Sequence, residues 1–202
     1  MKGKVKIAVL VSGGGTNLQA LIDAEKSGTI KSGKITLVIS NNADAYALTR
    51  AKNAGIETRV ITKAEYGRNF EKELISAVKA AGAELIVLAG FMSILSASFT
   101  SEFADRIINV HPALIPSFCG KGYYGLKVHE AALAYGVKVT GATVHFVNEI
   151  PDGGKIIMQK AVEVKENDTA ESLQQRVMRE AEWKILPRSC EKVCKKILRE
   201  KL

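Results

Sequence analysis

The chain is predicted to fold as a single α/β domain: a Rossmann-like, mostly parallel sheet with a C-terminal antiparallel hairpin and one long C-terminal helix. Three observations carry this. Val/Ile/Leu runs with almost no polar residue recur through the first half, helical-period segments separate them, and the second half changes to an alternating strand, a glycine turn and another strand. Strands apolar on both faces and joined through helices build parallel sheets that are covered on both sides. The length of 202 residues favours one domain, and 47% hydrophobic with 25% charged residues excludes disordered and fibrous classes.

The elements follow in order. Lys4–Val11 reads as a buried strand ending in glycines, and Thr16 to about Lys26 as a helix with Leu18, Leu21 and Ile22 on one face. Ile35–Ser40 is a second buried strand, and Asp44–Ala54 a helix capped by Asn42 or Asp44. Glu57–Ile61 is a short strand, and Ala64–Ala81 one helix with Phe70, Leu74, Ile75 and Val78 inward. Glu84–Ala89 and Arg106–Val110 are strands, and Gly125–Tyr135 is a helix. Val137–Val147 alternates as a longer strand, Pro151-Asp152-Gly153-Gly154 is a turn, Lys155–Val164 returns as a strand, and a long helix starts near Thr169.

Composition narrows the function classes. No apolar run approaches the roughly 18–20 residues of a membrane span, and the N-terminus leads into a strand rather than a cleavage site. Three cysteines, Cys119, Cys190 and Cys194, are too few for a disulfide framework and fit a reducing, cytoplasmic setting. The net charge of +8 attracts anions. Lys2, Lys4 and Lys6 open the chain and basic residues load the last helix. Without interleaved aromatics or a zinc-finger spacing, that pattern does not make a nucleic-acid site. Cys190 and Cys194 stand one helical turn apart with no His or acidic partner for a metal.

Ser12-Gly13-Gly14-Gly15-Thr16-Asn17 lies between a strand and a helix N-terminus, where free N–H groups and the helix dipole suit an anion. The dinucleotide fingerprint fails, because Leu18 fills its last glycine position and Ser40-Asn41-Asn42 replaces the ribose-binding carboxylate. No Gly-Lys-Ser/Thr follows. A terminal monophosphate fits better, with a tight turn capped by Thr16 or Asn17 as the alternative.

Asn109-Val110-His111-Pro112 ends a strand, and alternation turns Asn109 and His111 to the same side. A carboxamide and an imidazole together can hold one carbonyl oxygen and move one proton, as formyl or acyl transfer requires. A histidine capping a loop is the alternative. Asp152 is either a turn residue or a carboxylate beside His111 that favours the imidazolium and raises its pKa. His145, on a face shared with Thr143, lines the site or packs beneath it, and His129 in its helix reads as structural.

Several ordered segments together give a more specific signal: SGGGTNLQA at Ser12–Ala20, LAGFMSIL at Leu88–Leu95, NVHPALIP at Asn109–Pro116, VHFV at Val144–Val147 followed by Asp152–Gly154, and EWKILP at Glu182–Pro187. Over nearly its whole length the chain resembles the phosphoribosylglycinamide formyltransferases, the folate-dependent formyltransferase family of purine synthesis. The resemblance implies that Gly15, Thr16 and Asn17 hold the phosphate of the ribosylglycinamide. The Met92, Ser93, Ile94 and Leu95 backbone faces the pterin of 10-formyltetrahydrofolate, and Val147–Pro151 covers its other side. It further implies that Asn109 binds the formyl oxygen, His111 is the general acid, Asp152 keeps His111 charged and Glu182 contacts substrate.

Relatives often carry an arginine at the position of Ser93, and a third-helix arginine contacts their folate, for which Arg68 is the nearest candidate. The stretch Ser117–Tyr124 is longer than in some relatives, and the last helix holds one residue more before Glu182. The resemblance also implies a phosphate-binding half over 1–100 and a folate and catalytic half over 101–202. The implied partners are these small molecules, with no tightly bound cofactor, no metal, no nucleic acid and no membrane, in a monomer or homodimer. Competing expectations are another folate-dependent formyltransferase or deformylase, which usually carries a further domain, and a non-catalytic phosphate-binding α/β module.

Overall fold

Seven strands form one sheet in the order β3-β2-β1-β4-β5-β6-β7. β1 (Val5–Val11), β2 (Gly33–Ser40), β3 (Glu57–Val60), β4 (Leu85–Leu88) and β5 (Ile107–His111) run parallel, β6 (Val139–Phe146) pairs antiparallel with β5, and β7 (Ile156–Glu163) pairs antiparallel with β6. The computed structural model describes residues 3–201, so Lys2 lies outside the described residues. Every residue of β1 except Lys6 is buried, as a central strand covered on both faces must be.

Helices close both faces. On one, α1 (Thr16–Lys26), α2 (Tyr46–Asn53), α7 (Ala170–Val177) and α8 (Trp183–Glu200) bury Leu18, Leu21, Ala47, Leu173, Val177, Leu186 and Cys190. On the other, α4 (Phe70–Ala80) and α5 (Ala97–Glu102) bury Phe70, Leu74, Val78 and Phe99. The two remaining helices, α3 (Lys63–Tyr66) and α6 (Leu126–Tyr135), belong to the connections.

Several local expectations are corrected. The helix expected from Thr16 has no side-chain cap; Gly15 precedes it in a left-handed conformation. Neither Asn42 nor Asp44 caps α2. Its cap position is Ala45, and the Asn42 side chain instead accepts the Asp44 N–H in a local turn. The single helix expected over Ala64–Ala81 is broken: Thr62 caps α3, Gly67 at φ 51° stops it, and a 3-10 turn leads into α4. A glycine inside a helical pattern costs little to break there because it can adopt positive φ. Ile75, expected inward, is only partly buried. The helix α5 was not expected; Ser96 starts it by accepting the Phe99 N–H.

The last helix is not continuous either. α7 begins with a capping box between Thr169 and Ser172. Residues Met178–Glu182 then form a π turn before α8. A π turn takes up an inserted residue without rotating the flanking segments off the core, and Val177, Ala181 and Ile185 all stay buried.

The order of the strands places the crevice. The chain moves outward from β1 to β2 and β3, then returns to β4 on the other side of β1. The loops leaving the carboxyl ends of β1 and β4 therefore diverge, which opens a ligand crevice at that point in doubly wound sheets.

Candidate active site

A cavity of about 800 Å³ opens at these carboxyl ends. Its walls come from the loop after β4, the end of β5, the segment 120–125, the loop after β6 and the π turn. Asn109, His111, Asp152, Asn17, Glu182, Met92, Ser93, Ile94, Leu95 and Val147 all line it. Gly15 and Thr16 are not in the lining, although they precede Asn17 directly. Arg68 is exposed on the 3-10 turn and is likewise absent from the lining. The lining draws on both sides of residue 100, with Asn17 and Met92–Leu95 before it and Asn109, His111, Asp152 and Glu182 after it.

Antiparallel pairing of β5 with β6 sets Asn109 opposite His145 and His111 opposite Thr143. The Nδ1 of His145 lies 2.8 Å from the Phe146 carbonyl and so carries the proton. That leaves its Nε2 to accept from Asn109 Nδ2 at 3.3 Å. The Asp152 carboxylate bridges the histidines, with Oδ2 at 3.5 Å from His111 Nδ1 and Oδ1 at 3.5 Å from His145 Nε2. Gly120 N–H donates to Asp152 Oδ2 at 2.9 Å. The other His111 nitrogen, Nε2, is 2.8 Å from the Phe118 carbonyl. Both ring nitrogens of His111 thus face acceptors, and only the imidazolium can donate to both. Asp152 and Phe118 hold φ of 57° and 48°. Aspartate adopts this conformation readily, whereas for phenylalanine it is strained.

Burial opposes the charge that this geometry favours. His111 is 4% exposed. Desolvation lowers its pKa by more than Asp152 and the Phe118 carbonyl raise it, so the net shift is downward. This corrects the expected net elevation of the His111 pKa: Asp152 acts in the expected direction but is outweighed. Burial likewise pushes Asp152 up, yet the neighbouring His145 and His111 rings and the Gly120 N–H together hold it below the usual carboxylate range.

Two buried groups complete the floor. Glu182 is pushed up to about 7 by burial, partly opposed by Asn17, whose Nδ2 donates to Glu182 Oε2 at 2.6 Å. His129, expected to be structural, also lines the cavity, fully buried with neither ring nitrogen hydrogen-bonded. Burial and then His111 lower its pKa to about 4, so it is neutral.

The glycine loop and the loop after β4 are tied together. Ser12 Oγ accepts the Met92 N–H at 2.8 Å, and Asn41 Nδ2 donates to Ser93 Oγ at 2.9 Å. The Met92 N–H is therefore occupied, which leaves the Ser93–Leu95 backbone for a ligand. Met92 and Ile94 are 54% and 70% exposed and present apolar surface to the cavity. Gly15 has to be glycine: a Cβ would sit 2.6 Å from Ala47 Cβ, and its φ is 71°. Gly154 is as constrained, since a Cβ would meet the Phe146 carbonyl oxygen at 1.7 Å, and it thereby brings the Asp152 turn onto the end of β6.

Sequence reasoning left the role of His145 open and did not foresee Phe118 or Gly120. Alternation put His145 on the Thr143 face of its strand, but only the register with β5 sets it against Asn109. Among the described residues, no group of three or more His, Cys, Asp or Glu is placed to share a metal ion, and no helix is long and apolar enough to cross a membrane.

The formyl transferase family model matches residues 5–190. The phosphoribosylglycinamide formyltransferase of Haemophilus influenzae is 45% identical over 184 residues, 90% of this chain and 84% of its own length. The trifunctional purine biosynthetic protein adenosine-3 of Gallus gallus is 47% identical over 186 residues, and there the chain spans 18% of the relative's length. A crystal structure of glycinamide ribonucleotide transformylase 1 from Symbiobacterium toebii superposes with a TM-score of 0.89 at 40% identity, covering 96% of this chain and 89% of that one. Family model, sequence relatives and solved structure agree with one another, and the chain belongs to the formyl transferase family.

Proposed function

We propose that this chain transfers the formyl group from N10 of 10-formyltetrahydrofolate to the amine of 5-phosphoribosylglycinamide, a step of purine synthesis. It does so in the cytoplasm, as a monomer or homodimer and without a tightly bound cofactor. The observation that carries this reading is the convergence of Asn109, His111 and Asp152 in one cavity, beside the loops that follow β1 and β4.

The neutral amine attacks the formyl carbon, a C–N bond forms, and the carbonyl electron pair moves onto oxygen. Asn109 has two N–H groups; His145 takes one, and the second is available to the oxyanion. His111 supplies the other donor. Its Nε2 faces the Phe118 carbonyl at 2.8 Å, and the oxyanion competes with that carbonyl for the Nε2 proton. Negative charge arriving there stabilises the imidazolium that burial disfavours. The proton on the new ammonium then passes by way of Asp152, directly or through water, to N10, and the C–N10 bond breaks. One well-aimed oxyanion donor is worth about 3–4 kcal/mol.

Gly15, Thr16 and Asn17 take the ribotide phosphate at the uncapped start of α1. Glu182 faces the ribotide from the π turn, and Ser93–Leu95 with Val147 frames the pterin. In this reading residues 1–100 supply the phosphate loop and 101–202 the catalytic groups, interlocked through Asn17 and Glu182.

An absorbance assay of a 10-formyl folate analogue tests the proposal. Loss of the formyl group only when the phosphorylated glycinamide is present supports it. No conversion overturns it, and so does equal conversion with water as the only acceptor, which would make the protein a deformylase.

A further inference from the structure

The helix α2 lies against the glycine loop. Its Ala47 backbone N–H donates to the Gly13 carbonyl at 3.0 Å, and Arg50 Nε donates to the Gly14 carbonyl at 2.8 Å. The half-buried guanidinium is held in place from two other directions: its Nη1 donates to Gln19 on α1 at 3.2 Å, and its plane lies over the Tyr46 ring with Cζ 5.0 Å from the centroid.

The C=O and N–H of one peptide unit point in opposite directions. Turning the Gly13 carbonyl toward α2 therefore turns the Gly14 N–H away from it, and turning the Gly14 carbonyl toward Arg50 does the same for the Gly15 N–H. With Gly15 left-handed and no side chain capping α1, successive N–H groups then line one concave side, the arrangement that binds anions. In an isolated loop these two peptide units would rotate freely, because glycine gives little steric resistance.

We propose that Arg50 is a positioning residue for the ribotide phosphate: by holding the Gly14 carbonyl, it keeps the loop N–H groups aimed at the anion before substrate arrives. This rests on the phosphate role proposed above for the loop. The Gly14 carbonyl also polarises away from the site when it accepts from a cation, so Arg50 strengthens the neighbouring Gly15 N–H as a donor.

The experiment compares two acceptors, phosphoribosylglycinamide and the same ribosylglycinamide without its phosphate, in the intact enzyme and in Arg50→Met and Arg50→Lys. In the wild type the phosphate should raise kcat/KM. In Arg50→Met the KM for the phosphorylated acceptor should rise about tenfold or more, the KM for the folate should not move, and kcat/KM with the unphosphorylated acceptor should match the wild type. The preference for phosphate is an internal ratio, so a partly folded preparation does not imitate its loss. Arg50→Lys keeps the charge but not the fork, and should retain most of the defect. An unchanged phosphate preference in Arg50→Met overturns the inference, as does an equal fall with both acceptors. Full recovery in Arg50→Lys overturns it as well, because charge alone would then suffice. If the wild type itself shows no preference for phosphate, the phosphate role of the loop fails rather than the role of Arg50.

Discussion

The Asp152 carboxylate stands 3.5 Å from His111 Nδ1, in a pocket where burial lowers that ring's pKa. The carboxylate resists desolvation without overcoming it. Negative charge arriving beside the ring acts in the same direction as the carboxylate and favours the imidazolium further.

Replacing Asp152 with asparagine removes the largest influence that raises the His111 pKa. His111 in the wild type should titrate below the ordinary histidine value, and in Asp152→Asn lower still, as followed by NMR of the ring protons. Turnover should fall by roughly a hundredfold or more. An unshifted His111 titration would show that the carboxylate does not act on that ring.

His145 holds Asn109 through the 3.3 Å contact between its Nε2 and the Asn109 Nδ2. Its replacement by alanine should lower kcat by about tenfold and leave the KM for either substrate within twofold, read by steady-state kinetics. A glutamine, able to accept from Asn109, should restore part of the rate. A loss confined to KM would assign His145 to binding instead.

Glu182 connects pH to stability. Its folded pKa of about 7 lies above an ordinary glutamate's 4.5. Its contribution is therefore fully present below about pH 4.5 and is lost as pH rises through 7. The difference is on the order of 3 kcal/mol for a fully buried carboxyl. Urea unfolding of wild type and Glu182→Gln should show the variant gaining relative stability between pH 5 and pH 8. Parallel pH profiles would mean that Glu182 is charged and satisfied throughout.

Charge enters at longer range. Lys121 is the only lysine or arginine among the described residues that line the cavity, against Glu149, Asp152 and Glu182. The attraction of a +8 protein for two anionic substrates must then come from outside the cavity. Michaelis constants for both substrates should rise with ionic strength as this field is screened. Salt-independent constants would confine binding to local contacts.

The sequence alone determined what depends on neighbours along the chain. Buried strands, the helices between them, the glycine loop and the placement of Asn109 and His111 on one side of β5 all follow from periodicity and from glycine and proline chemistry. Resemblance over ordered segments added Asp152 and Glu182 as partners in one site. Only the tertiary structure decided what depends on register and on burial. The pairing of β5 with β6 set His145 against Asn109, and the π turn kept Glu182 inward. The packing of α2 on the glycine loop gave Arg50 its contact, and the low polarity around His111 reversed the sign of its net pKa shift. Contacts across 36 to 165 positions of chain leave no periodic trace, and desolvation is a property of the enclosing walls that no local pattern records.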